Sequence, residues 1–301
     1  MDLDIICAEY LKYSKHFKSW NTFKRYDTPH LNIIINFMIT NEYSNSDNLD
    51  YDSIYDFIDY SKLRDNTNKT INKRIQLLNR AITFQVKQGK CKPTIISSFP
   101  KLKELDKRFD IVDEQTMKRV INFLLDKPDT FMNIRNRVIL FLFIDTGARL
   151  SEVTNIKIKN INSQTNSILL DHTKTKKERV VHYSNYTAKH LYEYLLLLDS
   201  NHNHLLRNSR TKSPMNYLGV LRVLQKIKYD LKLEQFSSHM IRHSYGTLAY
   251  KRKVSELFTN HTMGHARMDM TRRYTHYNIE VDSEIYQELA PMEYYINKKQ
   301  A

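Results

Sequence analysis

Apolar residues recur at helical spacing along nearly the whole of this 301-residue chain, and only between residues 156 and 181 does strand-like alternation replace them. A chain patterned in this way can fold only as a mainly α protein carrying one small antiparallel β-sheet in its C-terminal part. The clearest helix covers residues 69–87. Ile71, Ile75, Leu78, Ile82 and Val86 fall within about 80° of one another at 100° per residue, and Lys69, Lys73, Arg80 and Lys87 project from the opposite side. Such a basic stripe is either a solvated face or a face laid along a polyanion. Earlier, Asn21-Thr22 precede Leu31, Ile34, Ile35 and Met38, a turn and helix in which Pro29 predicts a break or kink. Residues 1–88 therefore read as all-helical.

After Gly89 the pattern lapses. Pro93, Pro100, Ser97-Ser98 and Lys101-Leu102-Lys103 make this the best linker candidate, and the domain boundary is placed near residue 105. The expected domains are 1–105 and 106–301. In the second, Asp113-Glu114 open a helix patterned by Met117, Val120, Ile121 and Leu124, and residues 135–145 form an almost continuously apolar helix that must be buried. Ile156-Lys157-Ile158, Ser167-Ile168-Leu169-Leu170 and Arg179-Val180-Val181 are the expected strands. Helical periodicity resumes through 185–199, 214–230, 239–252 and 255–263.

Composition narrows the class. No apolar run approaches the roughly 18 residues needed to cross a bilayer. Met1-Asp2-Leu3-Asp4 lacks the basic start of a secretory signal, and Cys7 and Cys91 lie too far apart in sequence to support a disulfide scaffold or a cysteine zinc site. A cytoplasmic or nuclear protein is expected. With 47 basic against 33 acidic residues the formal charge is +14, an excess that points first to nucleic acid, whose phosphates exchange condensed counterions for Lys and Arg. The excess is uneven: residues 41–60 hold six acids and no Lys or Arg, whereas 62–92 hold nine Lys/Arg and one acid.

The chain has only five glycines, and three of them mark short polar segments: Thr146-Gly147-Ala148-Arg149-Leu150-Ser151-Glu152, His239-Met240-Ile241-Arg242-His243-Ser244-Tyr245-Gly246 and Met263-Gly264-His265. Gly147 ends the buried helix, where positive φ is useful, so Arg149 emerges from the end of a core helix with Glu152 one turn on as an ion-pair partner. His239 and Arg242, at i and i+3, share one helix face and suit a phosphate: a guanidinium grips two oxygens while an imidazole moves a proton. The Tyr274 phenol, with a pKa of about 10, needs help to act as a nucleophile.

Taken in order, these segments resemble the tyrosine recombinases, the phage-integrase and Xer-type family. The pieces that carry the resemblance are 146–152, His-Met-Ile-Arg-His-Ser-Tyr-Gly-Thr at 239–247, and Met-Gly-His-Ala-Arg-Met-Asp-Met-Thr-Arg-Arg-Tyr-Thr-His at 263–276. The nine-residue step from His265 to Tyr274 matches the family's interval from its Gly-His motif to the nucleophile. Thr173–Val181 looks like its β-hairpin lysine region. Asn21–Tyr26 and Asn68–Arg74 are similar to its helical core-binding domain. Met263 stands where the family usually has Leu.

The resemblance implies a two-domain C-shaped clamp: a helical, SAM-like core-binding domain with linker (1–105), which binds DNA, and an α+β catalytic domain (106–301). It implies a site-specific recombinase that cleaves and rejoins double-stranded DNA through a 3′-phosphotyrosyl intermediate, for integration or excision of a mobile element or for dimer resolution. No metal, nucleotide or other cofactor is implied. Tyr274 would be the nucleophile, Arg149 and Arg242 the clamp on the phosphate, His265 a further donor, His239 the base, Lys174 the general acid and Glu152 an orienting residue. Lys176 and Lys177 are alternatives to Lys174, and Tyr277 is a rival to Tyr274. Lys69, Lys73, Arg80 and Lys87 would face DNA. The C-terminal segment, with Ile285, Leu289, Met292 and Tyr294-Tyr295, would dock on a neighbouring subunit in a tetramer on two DNA sites, or pack on its own domain. The competing functions are type IB topoisomerase-like relaxation and a catalytically silent sequence-specific DNA-binding protein.

Overall fold

A computed structural model describes residues 1–104, 110–171, 178–199, 203–252, 254–264, 286–287 and 289–297. The chain divides into two compact units, Met1–Lys107 and Arg108–Ala301. Among the described residues no helix is long and apolar enough to cross a membrane.

The first unit is helical throughout: α1 (Leu3–Phe17), α2 (Trp20–Thr22), α3 (Thr28–Thr40), α4 (Tyr51–Lys62) and α5 (Asn68–Val86). Pro29 does not break the chain. It sits in the first turn of α3, behind a π-helical turn, Phe23–Asp27, in which the Thr28 N–H donates to the Phe23 carbonyl five residues back. Proline supplies no N–H, so the wider turn forms where the ordinary ladder would have a gap. α4 begins with a reciprocal cap: the Ser53 N–H donates to Asp50 (2.8 Å) and the Asp50 N–H donates to Ser53 Oγ (3.0 Å). The acids Asp52, Asp56 and Asp59 lie exposed along it.

α5 buries Ile71, Ile75, Leu78 and Ile82 as its spacing requires, together with Asn72, Arg74, Leu77, Ala81 and Gln85, so the covered stripe is wider than the apolar residues alone. Asn72 explains part of that width. Its amide donates to the Leu102 carbonyl (2.9 Å) and its carbonyl accepts from the Leu102 N–H (2.9 Å), while Asn68 donates to Lys103 (2.8 Å). The stretch that reads as linker is therefore tied to α5 as far as residue 104, with Ile96 buried. After a 3-10 turn at Ile95–Ser98, the backbone groups of Leu102 and Lys103 pair with side chains rather than with a ladder, which no periodicity reveals.

The second unit is organised by α7 (Phe131–Thr146), whose residues Val138–Thr146 are all buried. Around it pack α6 (Glu114–Leu125), α8 (Leu150–Thr154), α9 (Asn185–Leu195), α10 (Tyr217–Asp230), α11 (Ser238–Lys251) and α13 (Pro291–Asn297), while α12 (Glu256–Met263) packs on α11 and the sheet. The antiparallel sheet runs β1 (Ile161–Asn162), β2 (Ser167–Leu170), β3 (Arg179–His182), with Ile161 opposite Ile168 and Leu170 opposite Arg179. Ile156-Lys157-Ile158 is not one of its strands. The Ile158 N–H donates to Asn203 (2.8 Å) and the Leu205 N–H to Ile156 (2.9 Å), so this segment pairs with residues 203–205, and the sheet starts after a 3-10 turn at Ile158–Asn160.

α13 packs on its own domain, against α6, α7 and α9, with Leu289, Met292 and Tyr295 buried. The Met292 N–H donates to Asp145 (3.0 Å), as do the N–H (2.8 Å) and hydroxyl (2.7 Å) of Ser184. Burial raises the Asp145 carboxyl above its ordinary value.

Candidate active site

Gly147 closes α7 in the left-handed conformation, φ 56°. A Cβ there would stand 2.9 Å from the Tyr245 ring, so both the backbone angle and the space demand glycine. The turn delivers Arg149 to the start of α8. Its own N–H donates to Glu152 Oε2 (2.7 Å) and its Nη1 to Glu152 Oε1 (2.9 Å), the ion pair that the one-turn spacing predicts.

Arg149 is not alone on Glu152. Arg179 of β3 donates from Nη1 to Oε1 (2.9 Å) and from Nη2 to Oε2 (2.7 Å). The Glu152 side chain is fully buried. Burial alone would raise its carboxyl, but the hydrogen bonds and charge of Arg179, then those of Arg149, outweigh it and hold the group at about 2. Glu152 is therefore a carboxylate at any working pH.

The three arginines meet again at the end of α12. Arg179 Nε donates to the Thr262 carbonyl (2.8 Å), Arg242 Nη2 to the Met263 carbonyl, and Arg149 Nη2 to the Gly264 carbonyl (2.7 Å). Three consecutive carbonyls at a helix C-terminus thus each take a different guanidinium, where unpaired acceptors and the helix dipole favour positive charge. Arg242 also donates to the Gly147 carbonyl (2.7 Å), so one side chain ties the turn after α7 to the turn after α12. Burial, then the neighbouring charge of Arg149, lowers Arg242 to about 10.

Arg149 and Arg242 thus converge on Met263–Gly264, directly ahead of His265. Arg242 is 5% exposed, whereas the Arg149 side chain keeps 21% of its surface open. His239 stands exposed in the first turn of α11, the helix that carries Arg242. Two residues after Arg242, Ser244 ties α11 to the entry of the domain by accepting from the Val112 N–H (2.8 Å). Lys174, Lys176, Lys177, His265, Tyr274 and Tyr277 lie outside the described residues. On α5 Lys69 and Arg80 are exposed, as is Lys87 just past its end, and Lys73 is half-buried with its ammonium 3.2 Å from the centre of the Tyr26 ring.

Residues 111–280, which include Arg149, Glu152, Lys174, Arg179, His239, Arg242, His265 and Tyr274, match the phage integrase family. The chain belongs to that family, the tyrosine recombinases. Among its relatives in the family is the tyrosine recombinase XerC of Lactobacillus delbrueckii subsp. bulgaricus, 28% identical over 221 residues that make up 70% of this chain and 73% of the relative. The XerC of Staphylococcus haemolyticus is 24% identical over 294 residues, 95% of both chains. The fold is that of the Tn1549 transposon integrase solved with transposon right-end DNA (TM-score 0.71, 14% identity, covering 95% of this chain and 99% of that one). It is shared by the XerH recombinase solved with its difH substrate (TM-score 0.60, 20% identity, 77% and 68%).

Within this tyrosine recombinase the residue that sequence reasoning missed is Arg179. It entered only as part of the hairpin segment. A charge at the head of the apolar run Val180-Val181, facing Leu170 across the sheet, is the signal that could have marked it, because a buried guanidinium must have partners.

Proposed function

We propose that this chain cleaves and rejoins double-stranded DNA at a specific site, with residues 106–301 as the catalytic domain and 1–105 as the core-binding domain and linker. The observation that supports the reading best is the convergence of Arg149 and Arg242 on consecutive carbonyls immediately before His265. Two guanidinium groups so placed suit the phosphoryl oxygens of a pentavalent phosphorus, whose charge exceeds that of the ground state. The Tyr274 oxygen attacks the phosphorus and the bond to the 5′ oxygen breaks. The phenol proton passes to His239, Lys174 protonates the departing 5′ oxygen, and His265 donates to a phosphoryl oxygen. Glu152 orients Arg149. A 5′-hydroxyl from a partner strand reverses the sequence, so one phosphodiester is exchanged for another and no external energy source is consumed.

The exposed Lys69, Arg80 and Lys87, with Lys73, would track the DNA backbone through charge, releasing counterions as they do so. A homotetramer on two DNA sites, in the cytoplasm, is the assembly and location that go with this chemistry. Topoisomerase-like relaxation would show itself as activity on DNA of any sequence.

The test is Tyr274→Phe on a nicked duplex. The variant is expected to bind DNA and to form no covalent adduct; an adduct from Tyr274→Phe refutes the nucleophile. Sequencing the DNA that co-purifies with Tyr274→Phe identifies the site.

A further inference from the structure

Arg179 touches three parts of the site yet has no part in the chemistry above. We propose that it is a positioning residue for strand cleavage: it holds Glu152 and the end of α12 so that Arg149 keeps an open edge toward a DNA phosphate. The inference rests on the reading of Arg149 as a phosphate ligand.

The hydrogen bonds divide the labour. Each Glu152 oxygen accepts once from Arg149 and once from Arg179, and the remaining Nε of Arg179 goes to Thr262. The Arg179 side chain is only 5% exposed and each of its three nitrogens already donates to the protein, two of them to Glu152. The Arg149 side chain keeps 21% of its surface open. Gly264 is built directly against Arg179 as well. It adopts φ 63°, and a Cβ on it would meet Arg179 Nη1 at 2.9 Å and Cζ at 3.0 Å. The turn that offers the Gly264 carbonyl to Arg149 therefore takes its shape from the Arg179 guanidinium.

Removing Arg179 would take one donor from each Glu152 oxygen in a place closed to water. The charged and titratable groups facing that carboxylate are Arg149 before α8, Arg179 on β3, Arg242 on α11 and, through Arg179, His261 on α12. A buried carboxylate short of donors either pulls the nearest cation toward itself or takes up a proton. The first draws Arg149 inward; the second releases it. Both spoil its aim.

The experiment uses the full chain as Arg179→Met, Arg179→Lys and the double variant Arg179→Met/Glu152→Gln. The substrate is a synthetic duplex carrying the site recovered with Tyr274→Phe, nicked so that the adduct is trapped. Single-turnover adduct formation is followed from pH 6 to pH 9, Kd is measured on the same duplex, and thermal unfolding checks the fold. Arg179→Met is expected to slow adduct formation about tenfold or more while changing Kd less than about threefold. Its rate should fall further toward pH 6 relative to the parent protein, as Glu152 begins to take a proton, and Glu152→Gln in the same chain should remove that extra acid limb. Arg179→Lys, which offers charge to Glu152 without the fork, should recover part of the rate, and it carries the test if Arg179→Met does not fold. A rate within about threefold of the parent, a loss matched by an equal loss of binding, or a pH profile parallel to the parent's overturns the proposal. Arg149→Ala run alongside separates the two readings. Adducts surviving Arg149→Ala overturn the reading of the site and this inference with it. Adducts lost there but retained in Arg179→Met overturn the inference alone.

Discussion

Glu152→Gln isolates the charge at the centre of the arginine cluster. Between an ordinary carboxyl at 4.5 and the folded-state value of about 2 lie about 2.5 pH units, worth about 3 kcal/mol at pH 7. The sign follows from the direction. The folded protein binds the proton more weakly than the unfolded chain, so this stability is complete above about pH 4.5 and is lost as pH falls toward 2. At pH 3 about 1.5 kcal/mol would remain. Glutamine keeps the shape but loses the charge, and its amide turns donors toward guanidinium donors. Urea unfolding of parent and variant at pH 7 and pH 3, followed by circular dichroism, should therefore show a gap of about 3 kcal/mol that roughly halves in acid. Trp20, the single tryptophan, lies in the first unit and provides an internal control by fluorescence. A gap below about 1 kcal/mol at pH 7, or one that does not shrink at pH 3, would refute the assignment of Glu152 as an arginine-held carboxylate.

Arg149→Ala and Arg242→Ala should each lower adduct formation by orders of magnitude with a smaller effect on Kd, because each acts on charge that grows in the transition state; equal losses of binding and rate would make them ordinary phosphate anchors. Gly147→Ala forces a left-handed alanine against the Tyr245 ring and should destabilise the protein by about 2–4 kcal/mol in denaturant titration, a cost that Gly89→Ala, with open space around it, should not match. Replacing Lys69, Arg80 and Lys87 together by Ala should reduce the salt dependence of DNA binding by about one unit of slope per lost phosphate contact, and an unchanged slope would mean that this face is merely solvated.

The pairing of Arg149 with Glu152 could be read before any fold was known, for a definite reason. Arg149 follows an apolar run ended by a glycine, and its partner Glu152 is a single helical turn away, so both belong to patterns a few residues long. His239 and Arg242 likewise share a turn of α11. Arg179 had no such neighbour to reveal it. Its carboxylate partner precedes it by a helix, two strands and their turns, and its carbonyl partner lies on the far side of three further helices. Asp145 is hidden in the same way, ending an apolar helix while serving Ser184 and Met292 from distant segments. The stretch after Gly89 reads as linker from its prolines, serines and lysines, and what the sequence does not show is that Asn72 and Asn68 of α5 hold the backbone at Leu102 and Lys103.

Spacing along the chain was enough to set which segments coil and where Gly147 ends α7, since backbone sterics and apolar burial act over a turn or two, whereas the expectation of phosphoryl chemistry came from the resemblance to a family. Which buried charge answers which was settled only on folding. Glu152 between two arginines, and three guanidinium groups on the three successive carbonyls Thr262–Gly264 where α12 ends, are matters of distance through space. In a site closed to water each such group must find its partner wherever the packed elements happen to bring one.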